Sequence, residues 1–269
     1  MNTPTGVEGE RTQRGGRTLL RPLPRRMRPL KLAEVLSREI VEAMIEDGVE
    51  PGDVLPSEVT MMANYGVART TLREALRLLE AQGLVVVKQG RGGGPVMAAV
   101  DASDLGRTSA LYYRLAGATY RELAESKVAV EPWLADLAAR RSDPDEARRQ
   151  LLSTFGEDAP VSADASPHQR GIWRATPQFH ETVYSLSGNL VLSTSISAMS
   201  AIFREQVLAA IDLSPKHNDF FDAHRQIADA IIEGRPEDAH RLSYEHQLDI
   251  NNYCEERIPE LLDRVIEWR

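Results

Sequence analysis

The sequence has a single cysteine and no long apolar run, and each absence excludes a class of protein. Because Cys254 has no partner in the chain, an intrachain disulfide is impossible, which favours a reducing cytoplasm. No apolar run approaches the roughly 18 residues that a membrane-spanning helix needs, and the N-terminus lacks the apolar stretch of a secretory signal. We therefore expect a cytoplasmic protein with no membrane partner. Its 269 residues, 42% of them hydrophobic, suffice for one large domain or two ordinary ones.

The net charge of −8 is unevenly distributed along the chain. Residues 1–98 hold 14 Lys and Arg against 12 Asp and Glu, whereas the remainder holds 18 against 28. An acidic body with a basic end predicts a polyanionic partner at that end only.

Composition and periodicity divide the chain into four segments. Residues 1–27 are rich in Gly, Pro, Thr and Arg, which predicts a disordered basic arm, either a solvated tail or a segment that touches phosphates. Residues 28–98 are predicted to form a DNA-binding domain and residues 99–118 a linker. Residues 119–269 read as helices throughout and are predicted to form an all-α effector-binding and dimerisation domain.

Three helices followed by a β-hairpin are predicted in residues 28–98. Apolar residues recur at helical spacing in Leu30–Asp47 and Arg69–Gln82, and Ser57 is a good N-cap for a short helix between them. Two β-favouring runs then flank a glycine-rich turn. This order is that of a winged helix-turn-helix, in which the third helix enters the DNA major groove with its first residues at the base edges.

The front of the third helix and the tip of the hairpin carry the polar residues that such a fold needs. Arginines can bond phosphates or a guanine edge, and threonines offer short donors and a methyl group. The alternative is an amphipathic helix with a solvated charged end. The predicted DNA contacts are Arg69, Thr70, Thr71 and Arg73 on the helix, and Lys88 and Arg91 in the wing.

Short motifs in this region resemble a known family. The segments "LPSE", "GVAR", "REAL" and "GRG", within roughly Leu30–Met97, resemble the DNA-binding domain of the GntR family of bacterial transcription regulators. The resemblance implies that Gln89 and Gly90 join Arg91 in the wing contact. Ala68 stands where the family prefers serine, so a phosphate-bonding hydroxyl and the N-cap of the third helix are lost. Val59 stands where many members carry a basic residue.

Three histidines of the second half fall on inward-facing helical positions. His180, His224 and His246 each continue an apolar stripe, and each belongs to a different predicted helix. A lone histidine on such a face is most often a core residue, but three from one bundle can converge on a divalent metal, with Zn²⁺ or Ni²⁺ preferred by imidazole. We therefore predict a metal site here.

The segments around these histidines resemble a ligand-binding domain. "FHETVYSLSGN" and "HRQIADAIIEGRPEDAHRLSYEH" resemble the FCD domain of the FadR subfamily of GntR regulators. The resemblance implies an all-α antiparallel helical bundle that senses small organic acids such as lactate, gluconate or citrate-like compounds. It also implies that the three histidines match the family's metal ligands. Thr176 takes the position of the acidic ligand in metal-binding members.

A cation stands at a core position of the long helix Tyr120–Arg141. Leu123, Lys127 and Val130 follow helical spacing, so the ammonium either snorkels to solvent or is a buried positive charge that awaits an anion. The FCD resemblance places Lys127 and Glu131 at an Arg-x-x-x-Glu pair that lines the effector pocket, with Lys in place of Arg. Arg204 is a further effector-binding candidate.

The sequence therefore predicts a mostly α protein with a winged helix-turn-helix and a C-terminal helical bundle. We expect a sequence-specific transcription regulator, a homodimer on a palindromic operator of double-stranded DNA, and a repressor that a small carboxylate releases. One alternative is a regulator that senses the metal itself, and a remote one is a metallohydrolase. The sequence contains no nucleophile motif and no carboxylate in an obvious general-base context, so we do not expect an enzyme.

Overall fold

A computed structural model describes residues 29–88, 90, 93–99, 102–155 and 178–269, which fold into two compact units. The first unit extends to Val100 and the second begins at Asp101. The predicted basic arm, residues 1–27, lies outside the described residues. Within the described part of the chain, no helix is long and apolar enough to cross a membrane.

The first unit is a three-helix domain with a two-stranded hairpin. Its elements are α1 (Pro29–Glu46), α2 (Glu58–Tyr65), α3 (Arg69–Ala81), β1 (Val85–Lys88) and β2 (Gly94–Met97). The two strands pair antiparallel with Val86 opposite Val96. The predicted winged helix-turn-helix is confirmed.

Local capping explains the tight turn between α2 and α3. The side chain of Ser57 accepts a hydrogen bond from the Thr60 N–H at 3.2 Å, so α2 starts at Glu58. Gly66 has φ of 65° and ends α2 in the left-handed conformation that glycine tolerates best. Ala68 occupies the N-cap of α3 and makes no side-chain cap bond, as its substitution for serine predicts.

A single apolar core holds the first unit together. Buried side chains from all three helices and β1 meet in it, and burial of this apolar surface is the main stabilising term. The core includes Leu36, Ile40, Met61, Leu72, Leu76, Leu79 and Val85. Since these α3 residues face inward, the opposite side of α3 faces solvent.

The second unit is an all-helical bundle. Its helices are α4 (Ala102–Ala116), α5 (Tyr120–Arg141), α6 (Pro144–Ser153), α7 (described from 178 to 186), α8 (Leu190–Gln206), α9 (His217–Ile232), α10 (Pro236–Arg257) and α11 (Pro259–Leu262). The α5 helix packs against α8, α9 and α10. It runs antiparallel to α10, because ion pairs join Arg140 to Glu237 at one end and Arg121 to Glu255 at the other. The predicted antiparallel bundle is thereby confirmed.

Residues 99–118, for which the sequence predicted a linker, include a helix that belongs to the second unit. The α4 helix packs on α8, where Gly106 lies so close that an added Cβ would stand 3.1 Å from the carbonyl oxygen of Ala198. The helix buries mainly small side chains, Gly106 and Ala110, instead of a stripe of large apolar residues.

The chain after α10 is less helical than its sequence suggests. The sequence reads as helical up to the last residues of the chain, but α11 ends at Leu262. Beyond it, Val265 forms an antiparallel bridge with Thr119, and the Ile266 N–H donates to the Ala118 carbonyl at 3.0 Å. Long-range backbone pairing, which local sequence does not reveal, replaces the helix.

Candidate functional site

The front of α3 presents a polar surface to solvent. The side chains of Arg69, Thr70 and Arg73 are exposed, and Thr71 is partly buried. Because the core anchors the other face of the helix, Arg69, Thr70 and Arg73 point away from the core, and Thr71 lies at the edge of the exposed face. All four DNA contacts predicted on this helix thus lie on or beside one accessible face.

An ion pair between two helices holds Arg73. Its Nε donates to both carboxylate oxygens of Glu58, at 3.2 Å to Oε2 and 3.4 Å to Oε1. Sequence reasoning did not find Glu58, because a pair that crosses from α2 to α3 leaves no trace in the spacing of either helix.

The wing is only partly described. Lys88 is exposed at the end of β1, and Gly90 has φ of 103°, a conformation that side chains other than glycine rarely adopt. The predicted contacts Gln89 and Arg91 lie outside the described residues.

Three imidazoles converge inside the second unit. His180 on α7, His224 on α9 and His246 on α10 each offer one ring nitrogen, and these atoms all lie within 4.8 Å of one another. The Nε2 atoms of His224 and His246 are 3.0 Å apart, so one donates a hydrogen bond to the other. We call these three residues the histidine cluster.

Apolar surroundings keep the two innermost imidazoles neutral. His224 is 1% exposed and His246 is 3% exposed. Phe179 stacks on His224 with ring centroids 4.3 Å apart, and Phe220 lies edge-on to His246 at 5.5 Å. Burial, followed by the charge of neighbouring histidines, lowers the pKa of His224 well below its usual value. Burial likewise lowers the pKa of His246 to about 3, so near pH 7 both rings are neutral with a lone pair available.

A buried carboxylate connects the histidine cluster to α5 and α10. Glu131 accepts hydrogen bonds from His180 Nδ1 at 3.0 Å, from Gln247 Nε2 at 2.7 Å and from Lys127 Nζ. Burial would raise the pKa of Glu131, but the Lys127 ammonium and His180 outweigh it and hold the pKa well below its usual range. Glu131 is therefore an ionised carboxylate with three donors.

Lys127 is buried, and it is paired. Its Nζ donates to Glu131 and, at 2.7 Å, to Ser200 Oγ, which in turn lies 3.2 Å from the Tyr184 hydroxyl. Neither sequence interpretation holds, because the ammonium does not snorkel to solvent and does not await an anion. The fixed charges of Lys127 and Glu131 therefore cancel each other. The i,i+4 spacing of Lys127 and Glu131 is compatible with an ion pair along one helix turn. No sequence pattern indicated that Ser200, Tyr184 and Gln247 would join them.

Two features of the cluster fit a metal ion. Two nitrogens on one tetrahedral zinc lie about 3.3 Å apart, close to the separation of the Nε2 atoms of His224 and His246. His180 donates from Nδ1 to Glu131, which fixes its tautomer and leaves Nε2 as the ligand atom, an arrangement common around bound metals.

One feature of the cluster fits a metal ion less well. His246 Nδ1 is buried without a hydrogen-bond partner in the described part of the chain, so a proton moved there by metal at Nε2 would find no acceptor among those residues. Thr176 lies outside the described residues. Arg204 is partly buried on α8, one turn beyond Ser200, and no hydrogen bond among the described residues joins it to the cluster.

Comparisons with known proteins match both units. The family described as "Bacterial regulatory proteins, gntR family" matches residues 32–93, and the FCD domain matches residues 122–249. The HTH-type transcriptional regulator Mce2R of Mycobacterium tuberculosis is 29% identical over 232 residues, which cover 81% of this chain and 87% of the relative. The HTH-type transcriptional repressor NanR of Cronobacter sakazakii is 26% identical over 241 residues, with 86% and 87% covered. A solved Streptococcus agalactiae GntR structure superposes with a TM-score of 0.61 at 23% identity, over 82% of this chain and 99% of that one, and it supports the fold.

Proposed function

Because the chain belongs to the GntR family of bacterial transcription regulators and carries an FCD domain, we propose that it is a repressor whose DNA affinity a small carboxylate controls. That it is a DNA-binding transcription regulator and not an enzyme follows from the matching families and relatives. The residues that contact the operator, the bound metal and the effector are proposals.

The exposed polar front of α3 is the observation that carries the DNA-reading role. In a winged helix-turn-helix this end of the third helix approaches the base edges, where arginine is the side chain best suited to guanine. Arg69 and Arg73 are both exposed there, and Lys88 is exposed at the base of the wing. One such helix reads only a few base pairs, so we propose that two copies of the chain bind a palindromic operator.

Replacing either arginine is expected to weaken operator binding. Arg69→Ala or Arg73→Ala should cost about 1–3 kcal/mol if the side chain contacts a base, and should lower the salt dependence if it contacts a phosphate. Binding is measured by fluorescence anisotropy at two salt concentrations, on the duplex that the full chain selects from a randomised pool. Arg241→Ala, which removes an exposed arginine of the second unit, is the control. Unchanged affinity and salt slope in both α3 variants would remove the basis for this DNA face.

A metal at the histidine cluster would create the charge that an acid recognises. His180, His224 and His246 would hold the ion, which would supply a Lewis-acidic position for an effector oxygen. Because Lys127 and Glu131 already neutralise each other, the ion's charge would have no counter-charge among these groups. Leaving it unpaired in apolar surroundings is unfavourable, and a small carboxylate is the natural complement.

Linkage then connects the acid to transcription. A ligand that binds one arrangement of the dimer more tightly than the other favours that arrangement. The affinity of the dimer for the operator then changes by an amount set by the ligand's difference in affinity for the two arrangements. The relative named a transcriptional repressor supports repression as the role of the DNA-bound protein.

An acid is expected to bind only when the metal is present. Lactate and lactamide differ in charge but hardly in shape, so each is tested by thermal shift on zinc-loaded and on chelator-treated protein, followed by other hydroxy acids paired with their amides. At least one acid should stabilise the zinc-loaded protein, and its amide should not. His224→Ala should abolish the response, while His240→Ala, an imidazole outside the cluster, should retain it. An acid that stabilises chelator-treated protein equally well would contradict binding at the metal.

The paired state of Lys127 favours a second candidate function. Since the Lys127 ammonium is already paired and does not await an anion, the metal itself can be the signal, with no acid required. In that case zinc alone would change operator affinity, and no acid would change it further.

A further inference from the structure

We propose that Glu58 is a positioning residue that restricts Arg73 to reading a guanine. The inference rests on the proposed role of α3 in DNA recognition and adds to it a residue from α2. Glu58 would increase the preference for one DNA sequence over others, and would not simply strengthen binding to every sequence.

The geometry of the ion pair leaves one mode of binding open to Arg73. Its Nε is occupied by both oxygens of Glu58, so the edge of the guanidinium that combines Nε with one terminal nitrogen is not available to DNA. The two terminal nitrogens remain, and they form an end-on fork that matches O6 and N7 of guanine. Arg73 is 58% exposed in its side chain and Glu58 only 25%, so the arginine reaches outward from a better-shielded carboxylate.

Glu58 is itself anchored where it can act as a fixed acceptor. It is the first residue of α2, immediately after the Ser57 cap, and a carboxylate is favoured at a helix N-terminus. The Glu58 carboxylate thus restricts the long Arg73 side chain to few conformations before DNA binds. Because the side chain is already ordered, less conformational entropy is lost when DNA binds.

Charge favours a base edge over a phosphate as the target. Arginines that bind phosphate contribute through their net positive charge and the counterions they release. The Arg73–Glu58 pair as a whole carries little net charge, and the Glu58 carboxylate would repel a nearby phosphate. The pair is therefore better suited to the uncharged edge of a base.

The same helix contains a matched pair for comparison. Arg77 and Glu74 lie 3.7 Å apart, one turn further along α3, and are joined within one helix instead of across two. If exposed ion pairs on this unit act only through stability or net charge, Glu58→Ala and Glu74→Ala should behave alike.

The test measures discrimination with the full-length chain. The probes are the duplex selected from a randomised pool, the same duplex with each conserved guanine replaced by adenine in turn, and a scrambled duplex. Glu58→Ala should reduce the preference for one guanine roughly tenfold. Affinity for the scrambled duplex should stay the same or rise, because a negative charge is lost. Glu58→Gln, which keeps an acceptor oxygen, should retain part of the preference, and Glu74→Ala should retain all of it.

A double-mutant cycle separates this inference from the proposed function. Arg73→Ala should remove the same guanine preference, and adding Glu58→Ala to it should remove no more. If neither Arg69→Ala nor Arg73→Ala has an effect on any duplex, the proposed DNA face is wrong. If Arg73→Ala alone has no effect, Arg73 does not read a base and the positioning role of Glu58 is wrong. If Arg73→Ala acts but Glu58→Ala leaves the preference intact, or weakens binding to all duplexes alike, only the positioning role is wrong. Melting curves of the three glutamate variants establish that all three fold.

Discussion

Replacing Glu131 with alanine is expected to destabilise the second unit by about 3–5 kcal/mol, the usual penalty for breaking a buried ion pair from one side. The carboxylate accepts from Lys127, His180 and Gln247, so its loss leaves a buried ammonium and two further donors without their acceptor. The free energy of unfolding from urea titrations, followed by circular dichroism, measures the effect.

The chain offers a matched control for this variant. Arg241 and Glu245 form the same i,i+4 pair on a long helix, but both side chains are more than half exposed. Glu245→Ala should therefore change stability by less than about 1 kcal/mol. Replacing both buried partners, as Lys127→Met with Glu131→Leu, should recover part of the loss because no charge is left unpaired. If Glu131→Ala and Glu245→Ala lower the free energy of unfolding equally, the buried network stabilises the protein no more than an exposed ion pair does.

Adding zinc to chelator-treated protein is expected to raise the melting temperature by roughly 5–10 °C. An ion at about 100 times its dissociation constant stabilises the folded state by about 2.7 kcal/mol, provided that it binds only that state. Elemental analysis after desalting should find one ion per chain. His224→Ala should lose both responses, because it removes one of the two nitrogens that stand 3.0 Å apart.

Glu131 tests whether the ion uses the proposed geometry. If His180 binds metal through Nε2 while Nδ1 donates to Glu131, then Glu131→Gln should weaken zinc binding by about 10–100-fold, as loss of a ligand's hydrogen-bond partner commonly does. His240→Ala leaves the cluster intact and should bind zinc as the parent chain does. Zinc binding that survives His224→Ala would place the ion elsewhere.

Much of the first unit was predictable because its signals are local. The Ser57 cap, the helix-ending Gly66 and the apolar stripe of α3 all act within a few residues of where they stand. The same holds for α5, which begins at Tyr120 as predicted, where Thr119 and Glu122 form a capping box. By contrast α4 was missed, since its packing depends on a close approach of Gly106 to α8 that has no local sequence signal.

The sequence by itself determined that three histidines face the interior of one bundle, because helical periodicity assigns each to the buried side of its own helix. It also placed Arg69 and Arg73 at the start of a helix that reads DNA in this family. Only the tertiary structure decided which groups meet: Glu58 reaches Arg73 across two helices, and Glu131 collects donors from α5, α7 and α10. The physical reason is that periodicity specifies the direction of a side chain about its own helix axis. The partner that it meets depends on how helices pack, and that packing decides whether Lys127 is a free cation or half of a buried ion pair.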